Sequence, residues 1–350
     1  MELYISIPLF IVSLILVIKG GDIFVDSASK IATKSKIPPM IIGATIVSVA
    51  TTLPELIVSS IASIKGSFDL AIGNAIGSII CNTSLICAIS LMFMPTILKQ
   101  KQSNFKNYML LFVIALCAVF SIGIEDGQVA GQINLFEGLM LLVMFAVFMI
   151  ANVTEAKKDM KNSVNIAVDI NKKKETKVPE PKENEAEAIK EEKYSKLITI
   201  FIIGAIMVGL GAYALVESAT AIATSLHIPE SVIGLTIVAI GTSLPELVTT
   251  ITAIRKKNST LGYGNIVGAN ILNVALILGV SSLISGSQGL PIGFWTLVVS
   301  IPVAFVSCAI FLIPLCIKQR TYRWQGFTLI AIYIAYMAFL TIMTIKGVAV

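Results

Sequence analysis

The sequence predicts an all-α polytopic membrane protein, with ten transmembrane helices arranged as two inverted-topology repeats of five. Three observations carry that prediction. Hydrophobic residues make up 56% of the 350 positions and charged residues only 13%, with a mean hydropathy of +0.88; a soluble protein carries about 25% charged residues. The few charges are clumped, with 11 Lys and 10 acidic residues in segment 155–196 alone. A segment of the first half also returns 191 positions later. A surface so poor in polarity has to face lipid. That excludes a cytosolic enzyme, a nucleic-acid binder and a disulfide-stapled secreted domain. Cys81, Cys87, Cys117, Cys308 and Cys316 lie inside apolar runs without ligand spacing, so they read as small buried hydrophobes.

Ten apolar stretches have membrane-crossing length, with cores at 4–25, 39–64, 70–95, 107–123, 132–152, 197–222, 230–254, 261–285, 292–316 and 325–345. Turn or charge signals separate them, among them Lys34–Pro39, Lys65–Ser67, Glu125–Gly127, Arg255–Lys257 and Ser285–Gly289. The first stretch lacks a basic leader and a small-residue cleavage site, so it reads as a retained helix. The chain therefore divides into a first membrane repeat (1–152), a charged linker (153–195) and a second, inverted repeat (196–350). The linker is rich in Lys, Glu, Asn and Pro and is expected to be mostly disordered, apart from a short helix at Glu185–Tyr194.

Basic residues set the orientation, because Lys and Arg resist translocation. Alternate loops hold Lys30, Lys34 and Lys36; Lys99, Lys101 and Lys106; the linker lysines; Arg255, Lys256 and Lys257; and Lys318, Arg320 and Arg323. The opposite loops and the C-terminal tail hold only Lys65 and Lys346. The expectation is a multi-pass protein of the cell membrane, both termini outside, with the linker in the cytoplasm.

The repeat is gapless. Gly43–Leu56 (GATIVSVATTLPEL) aligns with Gly234–Leu247 (GLTIVAIGTSLPEL), nine of fourteen positions being identical. Gly73–Asn82 aligns with Gly264–Asn273, Asp26 with Glu217 and Pro38 with Pro229. The matching helices are the second and the seventh. An odd separation means that one copy enters the membrane from the opposite side, the inverted arrangement of many secondary transporters.

Glu55 and Glu246 fall inside their spans, where an ionised carboxylate costs several kcal/mol. Each follows a proline (Pro54, Pro245) and a hydroxyl pair, Thr51/Thr52 or Thr242/Ser243. A proline strips the donor from the carbonyl four residues back, here Ala50 and Gly241. The kink is expected to free Ser48 and Ala239 as well. Carbonyls, hydroxyls and carboxylates from two copies make an all-oxygen cage suited to a hard cation such as Ca²⁺, which takes six to eight oxygens at about 2.3–2.6 Å. Two carboxylates neutralise one Ca²⁺, and Na⁺ ions compete for the same oxygens, which is what exchange requires. Ser78, Asn82 and Asn273 are further ligand candidates. The glycine pairs Gly73/Gly77 and Gly264/Gly268 serve close helix packing equally well, and Asn74 and Asn265 are candidates for bridging helices. Asp26 and Glu217 are expected at membrane edges, and His227 on the surface.

At these motifs the chain resembles the sodium/calcium exchanger family of the cation/Ca²⁺ antiporter superfamily, across both halves. The resemblance implies a ten-helix fold in which the first and sixth helices slide against a core made by the others. It implies Glu55 and Glu246 as the calcium-chelating acids and Thr51, Thr52, Thr242 and Ser243 as hydroxyl ligands. Ser48 and Ala239 would offer carbonyls to sodium, and Ser78 and Asn82 match polar positions of the third helix. Ca²⁺ and Na⁺ would be the substrates, within a lipid bilayer and with no tightly bound cofactor, nucleic acid or obligatory protein partner. Two departures stand out: Ala269 where many relatives have Ser, and Asn273 where many have Asp. The first removes a hydroxyl that usually binds sodium, and the second argues against potassium co-transport. No Glu follows either Gly-Asn pair, which favours sodium over proton coupling, the alternative being a Ca²⁺/H⁺ antiporter. A passive cation channel is the more distant alternative.

Overall fold

A computed structural model of the chain describes residues 3–34, 48–95, 103–125, 128–171, 193–255 and 259–346. Positions 39–47 of the second expected span lie outside these, as do Lys36, Lys99, Lys101, Lys256 and Lys257, the turn at 126–127 and linker residues 172–192. The short helix expected at Glu185–Tyr194 falls almost wholly in that last gap.

The first half runs through α1 (Leu3–Lys34), α2 (Ser48–Thr51), α3 (Leu53–Ile64), α4 (Phe68–Ile80), a π-helical stretch (Cys81–Cys87), α5 (Ala88–Phe93) and α6 (Ser103–Phe120). Strands β1 (Gly123–Glu125) and β2 (Gln128–Ile133) and helix α7 (Leu135–Asn171) complete it. The second half runs through α8 (Tyr194–Leu226), α9 (Glu230–Ile233), a π-helical stretch (Gly234–Val238), α10 (Ala239–Thr242), α11 (Leu244–Arg255) and α12 (Ser259–Leu272). Another π-helical stretch (Asn273–Leu278), α13 (Gly279–Ser285), β3 (Leu290–Ile292), a π-helical stretch (Thr296–Ser300), α14 (Ile301–Lys318) and α15 (Arg323–Ile345) follow.

Among the described residues seven helices are long and apolar enough to cross a membrane, and eight if the bent pair Glu230–Thr242 and Leu244–Ile251 counts as one span. Two of the expected spans coincide with shorter apolar helices, Leu53–Ile64 and Phe105–Phe120. The first is short because the chain leaves the helix at Thr52. The second reaches about 24 Å at 1.5 Å per residue, short of a hydrocarbon core of about 30 Å.

The 191-residue offset reappears in the backbone. α2 and α10 end at equivalent residues, α3 and α11 begin at equivalent residues, and both breaks fall at the second hydroxyl of the pair, Thr52 and Ser243. Those two residues share one conformation, φ −83° and ψ −2° against φ −85° and ψ 6°. This is the sparsely populated bridge region of backbone space. The prolines then stand at the second position of α3 and α11, where a missing N–H costs nothing. The helix therefore restarts rather than kinks.

Burial sorts the helices into inner and outer. In the most apolar window of the spans Phe68–Phe93 and Gly262–Gln288, 78% and 83% of residues are buried; for α15 the figure is 17%. The main core joins Ile72, Ile76, Ile79 and Ile80 of α4 to Ile266, Val267 and Ile271 of α12 and to Phe311 and Leu312 of α14. Glycine permits the closest approach. A Cβ on Gly77 would stand 2.7 Å from Leu235 Cα and 2.8 Å from Ala239 Cβ, and one on Gly73 2.8 Å from the Ser231 carbonyl. So α4 lies backbone to backbone against the segment that leads into α10.

A second apolar cluster is built from Val17 of α1 and Ala212, Leu215, Val216 and Ala219 of α8, resting on Val58 and Ala62 of α3. α1 and α8 again meet at glycines: a Cβ on Gly20 would come within 2.8 Å of Met207 Cβ, and one on Gly204 within 2.7 Å of the Phe24 backbone nitrogen. Their outer faces carry exposed Ile11, Ile15, Ile202, Ile206 and Leu210, as a lipid-facing helix requires. Just past the end of α3, the Lys65 ammonium pairs with Glu217 of α8 and lies 3.5 Å from the Tyr213 ring centroid. Asp26 pairs with Lys30 at 2.8 Å. Both of these acids are more than half exposed, and His227, which ends α8 with φ 54°, is exposed too.

Two expectations are corrected. The fold is not purely helical. β1 pairs antiparallel with β2, and β2 with β3, in the register Gly131↔Ile292, Gln132↔Pro291 and Ile133↔Leu290. This small sheet ties the two halves together, and Pro291 is tolerated there because β3 is an edge strand. The second correction concerns the linker. α7 continues through Asn171, so 153–171 is helical rather than disordered. Its charges do not prevent this: Glu, Ala, Lys and Met are strong helix formers, no Gly or Pro intervenes, and the apolar part of α7 has already met the cost of nucleation.

Candidate cation site

Both copies of the Pro-Glu segment read locally as capping boxes, a hydroxyl residue followed three positions later by Glu. The structure uses them differently. Thr52 makes no side-chain cap on α3. Ser243, at the head of α11, donates instead to Oε1 of Glu55 in the other half, at 3.2 Å. Glu55 and Glu246 each occupy the first turn of a twelve-residue helix, where the positive end of the helix dipole favours an anion. Both are fully buried, and they lie near enough for their charges to interact directly.

Two further contacts cross between the halves at equivalent positions. Thr51 Oγ1 donates to Asn265 Oδ1 at 3.3 Å, and Thr242 Oγ1 donates to Asn74 Oδ1 at 3.0 Å. Each pair becomes the other under the 191-residue offset. Asn74 Nδ2 also reaches the Glu55 carbonyl at 3.2 Å and Ser59 Oγ at 2.9 Å. Through these bonds Asn74 and Asn265 bridge helices.

The remaining polar atoms are informative because they lack partners. Among the described residues, Glu55 Oε2, both Glu246 oxygens, Ser78 Oγ, Asn82 Oδ1 and both amide atoms of Asn273 are buried without a hydrogen bond. Buried polar groups are normally satisfied, and each one left over costs about 1–3 kcal/mol. Seven of the fourteen such atoms among the described residues, six of them oxygens, fall on these five residues. Thr51 faces Glu246 without meeting hydrogen-bond geometry. Such a set of carboxylate, hydroxyl and amide oxygens can hold a hard cation. Among the described residues no group of three or more His, Cys, Asp or Glu side chains is placed to hold a metal, so softer metal chemistry has no donor set there.

One expectation changes in detail. The Ala239 carbonyl is not freed: it accepts the Ser243 N–H at 3.1 Å and lies 3.4 Å from Thr242 Oγ1. The helix stops one residue after Thr242, so its last regular hydrogen bond still forms. Ser48 lies in α2 at the equivalent position. Ala269, the counterpart of Ser78 under the offset, is fully buried and adds no polar atom.

Sequence reasoning missed Asn270. Its Oδ1 accepts from Asn82 Nδ2 at 3.2 Å, and its own Nδ2 donates to Thr83 Oγ1 at 2.7 Å. Comparison of the copies conceals it, because the offset places Ile79 opposite Asn270.

Fold and site together define an integral, multi-pass membrane protein of the antiporter class, not an enzyme. The chain belongs to the sodium/calcium exchanger protein family, whose model matches residues 5–154 and 196–342. Among its relatives, the sodium/calcium exchanger MaX1 of Methanosarcina acetivorans is 31% identical over 349 residues, covering 95% of this chain and 97% of that protein. The inner membrane protein YrbG of Escherichia coli is 32% identical, covering 82% of each. A solved structure of the sodium-calcium exchanger NCX_Mj, soaked with Na⁺ and Sr²⁺, aligns with a TM-score of 0.63 at 28% identity, covering 96% of this chain and 99% of that one.

Proposed function

We propose that this protein exchanges Na⁺ for Ca²⁺ across the cell membrane by alternating access, exporting Ca²⁺ at the expense of inward Na⁺ flow. The observation that carries the reading is the pair of fully buried acids, Glu55 and Glu246, surrounded by polar atoms that protein contacts leave unsatisfied. An ion with its charge balanced by two carboxylates crosses lipid at far lower cost than an empty, doubly charged site. That difference couples the two ions, since the site reorients readily only when filled.

In this reading Glu55 and Glu246 chelate Ca²⁺, and Thr51, Thr52, Thr242 and Ser243 supply hydroxyl oxygens. Ser78, Asn82 and Asn273 complete the cage from α4 and the π-helical stretches, and the Ser48 and Ala239 carbonyls serve Na⁺, the latter through its second lone pair. The chain forms two inverted five-helix repeats, 1–152 and 196–350, with both termini outside and the 153–195 linker in the cytoplasm. The names of MaX1 and NCX_Mj support the choice of ions. If three Na⁺ enter for each Ca²⁺, one net charge moves inward and the membrane potential contributes about 2.3 kcal/mol per 100 mV.

The test is ⁴⁵Ca²⁺ uptake into proteoliposomes under imposed Na⁺, K⁺ or H⁺ gradients. Uphill uptake should require an outward Na⁺ gradient. Brisk uptake in sodium-free vesicles under a pH gradient would establish a Ca²⁺/H⁺ antiporter instead, and flux without any counter-ion gradient a channel. Glu55→Gln and Glu246→Gln should each lower uptake by at least about a hundredfold, the loss of one charged ligand, with normal expression. Wild-type flux in either variant removes the acid pair from the mechanism.

A further inference from the structure

We infer that Asn270, on α12, is a positioning residue that fixes the orientation of the Asn82 carboxamide so that its oxygen faces the cation. The inference rests on the reading of Asn82 as a ligand. Asn82, Thr83 and Asn270 are all fully buried, and they form a chain with one direction of donation. Asn82 Nδ2 donates to Asn270 Oδ1 at 3.2 Å, and Asn270 Nδ2 donates to Thr83 Oγ1 at 2.7 Å. The Thr83 hydroxyl, having accepted, lies 3.5 Å from Cys308 Sγ, a contact in which either atom can donate.

The Nδ2 groups of Asn82 and Asn270 are both turned to protein acceptors. The one acceptor left over is Asn82 Oδ1, buried and without a partner. A carboxamide has two nearly isosteric faces, one an oxygen and one an NH₂. Only the oxygen attracts a cation; the NH₂ repels it and satisfies a carboxylate instead. Unanchored, the group can turn over to donate to Glu55 or Glu246 whenever no ion is bound, and each ion must then turn it back. Asn270 removes that alternative by occupying the nitrogen.

The anchor exists on one side only. The residue at the equivalent position of the first half is Ile79, packed in the apolar core, and Asn273, the counterpart of Asn82, has neither amide atom bonded among the described residues. Asn82 is thus a preset ligand, while the orientation of Asn273 is left to the ion.

The experiment measures the Ca²⁺ KM of sodium-driven uptake, and Ca²⁺ binding by calorimetry on the solubilised full-length protein. Asn270→Leu should raise both KM and Kd roughly tenfold, the value of one polar contact to the ion, with a far smaller change in maximal rate. Asn270→Asp should restore both, because a protonated carboxyl reproduces the acceptor to Asn82 and the donor to Thr83. In an Asn82→Ala background, Asn270→Leu should add nothing further. An unchanged KM in Asn270→Leu, or an effect that adds in full to that of Asn82→Ala, overturns the inference. If Asn270→Leu does not fold, Thr83→Val replaces it: a raised KM absorbed by Asn82→Ala supports the anchoring, and a wild-type KM overturns it. Failure of the acid-pair reading is distinguishable, because it alone predicts that Glu55→Gln and Glu246→Gln retain flux.

Discussion

Glu55 and Glu246 stand at the third position of equivalent helices, yet Glu55 accepts a hydrogen bond from Ser243 while neither oxygen of Glu246 has a partner among the described residues. The asymmetry extends outward. The first copy has Ser78 where the second has Ala269, and Asn82 is tied to Asn270 where Asn273 has no bonded amide atom among the described residues. The two copies share a backbone break to within a few degrees. What they do not share is preorganisation. In the first half Glu55 and Asn82 are each held by a side-chain hydrogen bond, whereas in the second Glu246 is only faced by Thr51 and Asn273 has no bonded amide atom among the described residues. If this is the exchange site proposed above, a fully ordered cage would hold the first occupant too well, whereas a half-ordered one would let two kinds of ion settle differently on the same oxygens.

Three substitutions test that contrast. The largest effect belongs to Asn273→Asp, which adds a third buried acid on the unanchored side. One Ca²⁺ then leaves a net negative charge in lipid, so uptake should fall more than about tenfold at neutral pH. It should recover as pH is lowered and one acid takes a proton, or when K⁺ is supplied. A pH and K⁺ profile like that of the wild type would show that charge balance does not govern the site. Ser243→Ala comes next. It removes the one hydrogen bond to Glu55 from the opposite half and makes the two acids alike. The Ca²⁺ KM should rise about fivefold, equivalent to roughly 1 kcal/mol, in a flux titration; an unchanged KM would place the Ser243 bond outside the working state. The smallest effect is that of Ala269→Ser, which gives the second copy the hydroxyl of the first. Half-saturation by Na⁺ should drop two- to threefold, about 0.5 kcal/mol, with the Ca²⁺ KM little changed. No change in Na⁺ dependence would mean that position 269 does not face sodium.

The site was more legible than its surroundings, and the reason is duplication. A carboxylate inside an apolar span is conspicuous once, and twice at one spacing it is hard to explain by packing alone. The repeat therefore brought out Glu55, Glu246 and the hydroxyl pairs. It also hid whatever was not repeated. Asn270 falls opposite Ile79, so nothing in the comparison of the halves marks it. The sheet was missed because Gly123–Glu125 and Leu290–Ile292 are too short to show alternation, and because β3 finds its partner more than 150 residues away. The continuation of α7 was missed because composition reports whether a segment can bury a core, not whether a helix already formed will propagate. The Ala239 carbonyl depends on where a helix stops to within one residue, a resolution that patterning does not reach.

The glycine contacts between α1 and α8 bear on leakage. With Gly20 set against Met207 and Val208, and Gly204 against Phe24, little more than backbone separates these helices. Neither can travel along its axis without carrying the other, because any relative shift drives a side chain into main chain. One belongs to each half of the molecule, so the outward and inward doors of the proposed cycle hang on a single leaf. In that cycle, a slide of the joined pair that opened one side would close the other, which would keep a continuous ion path from forming.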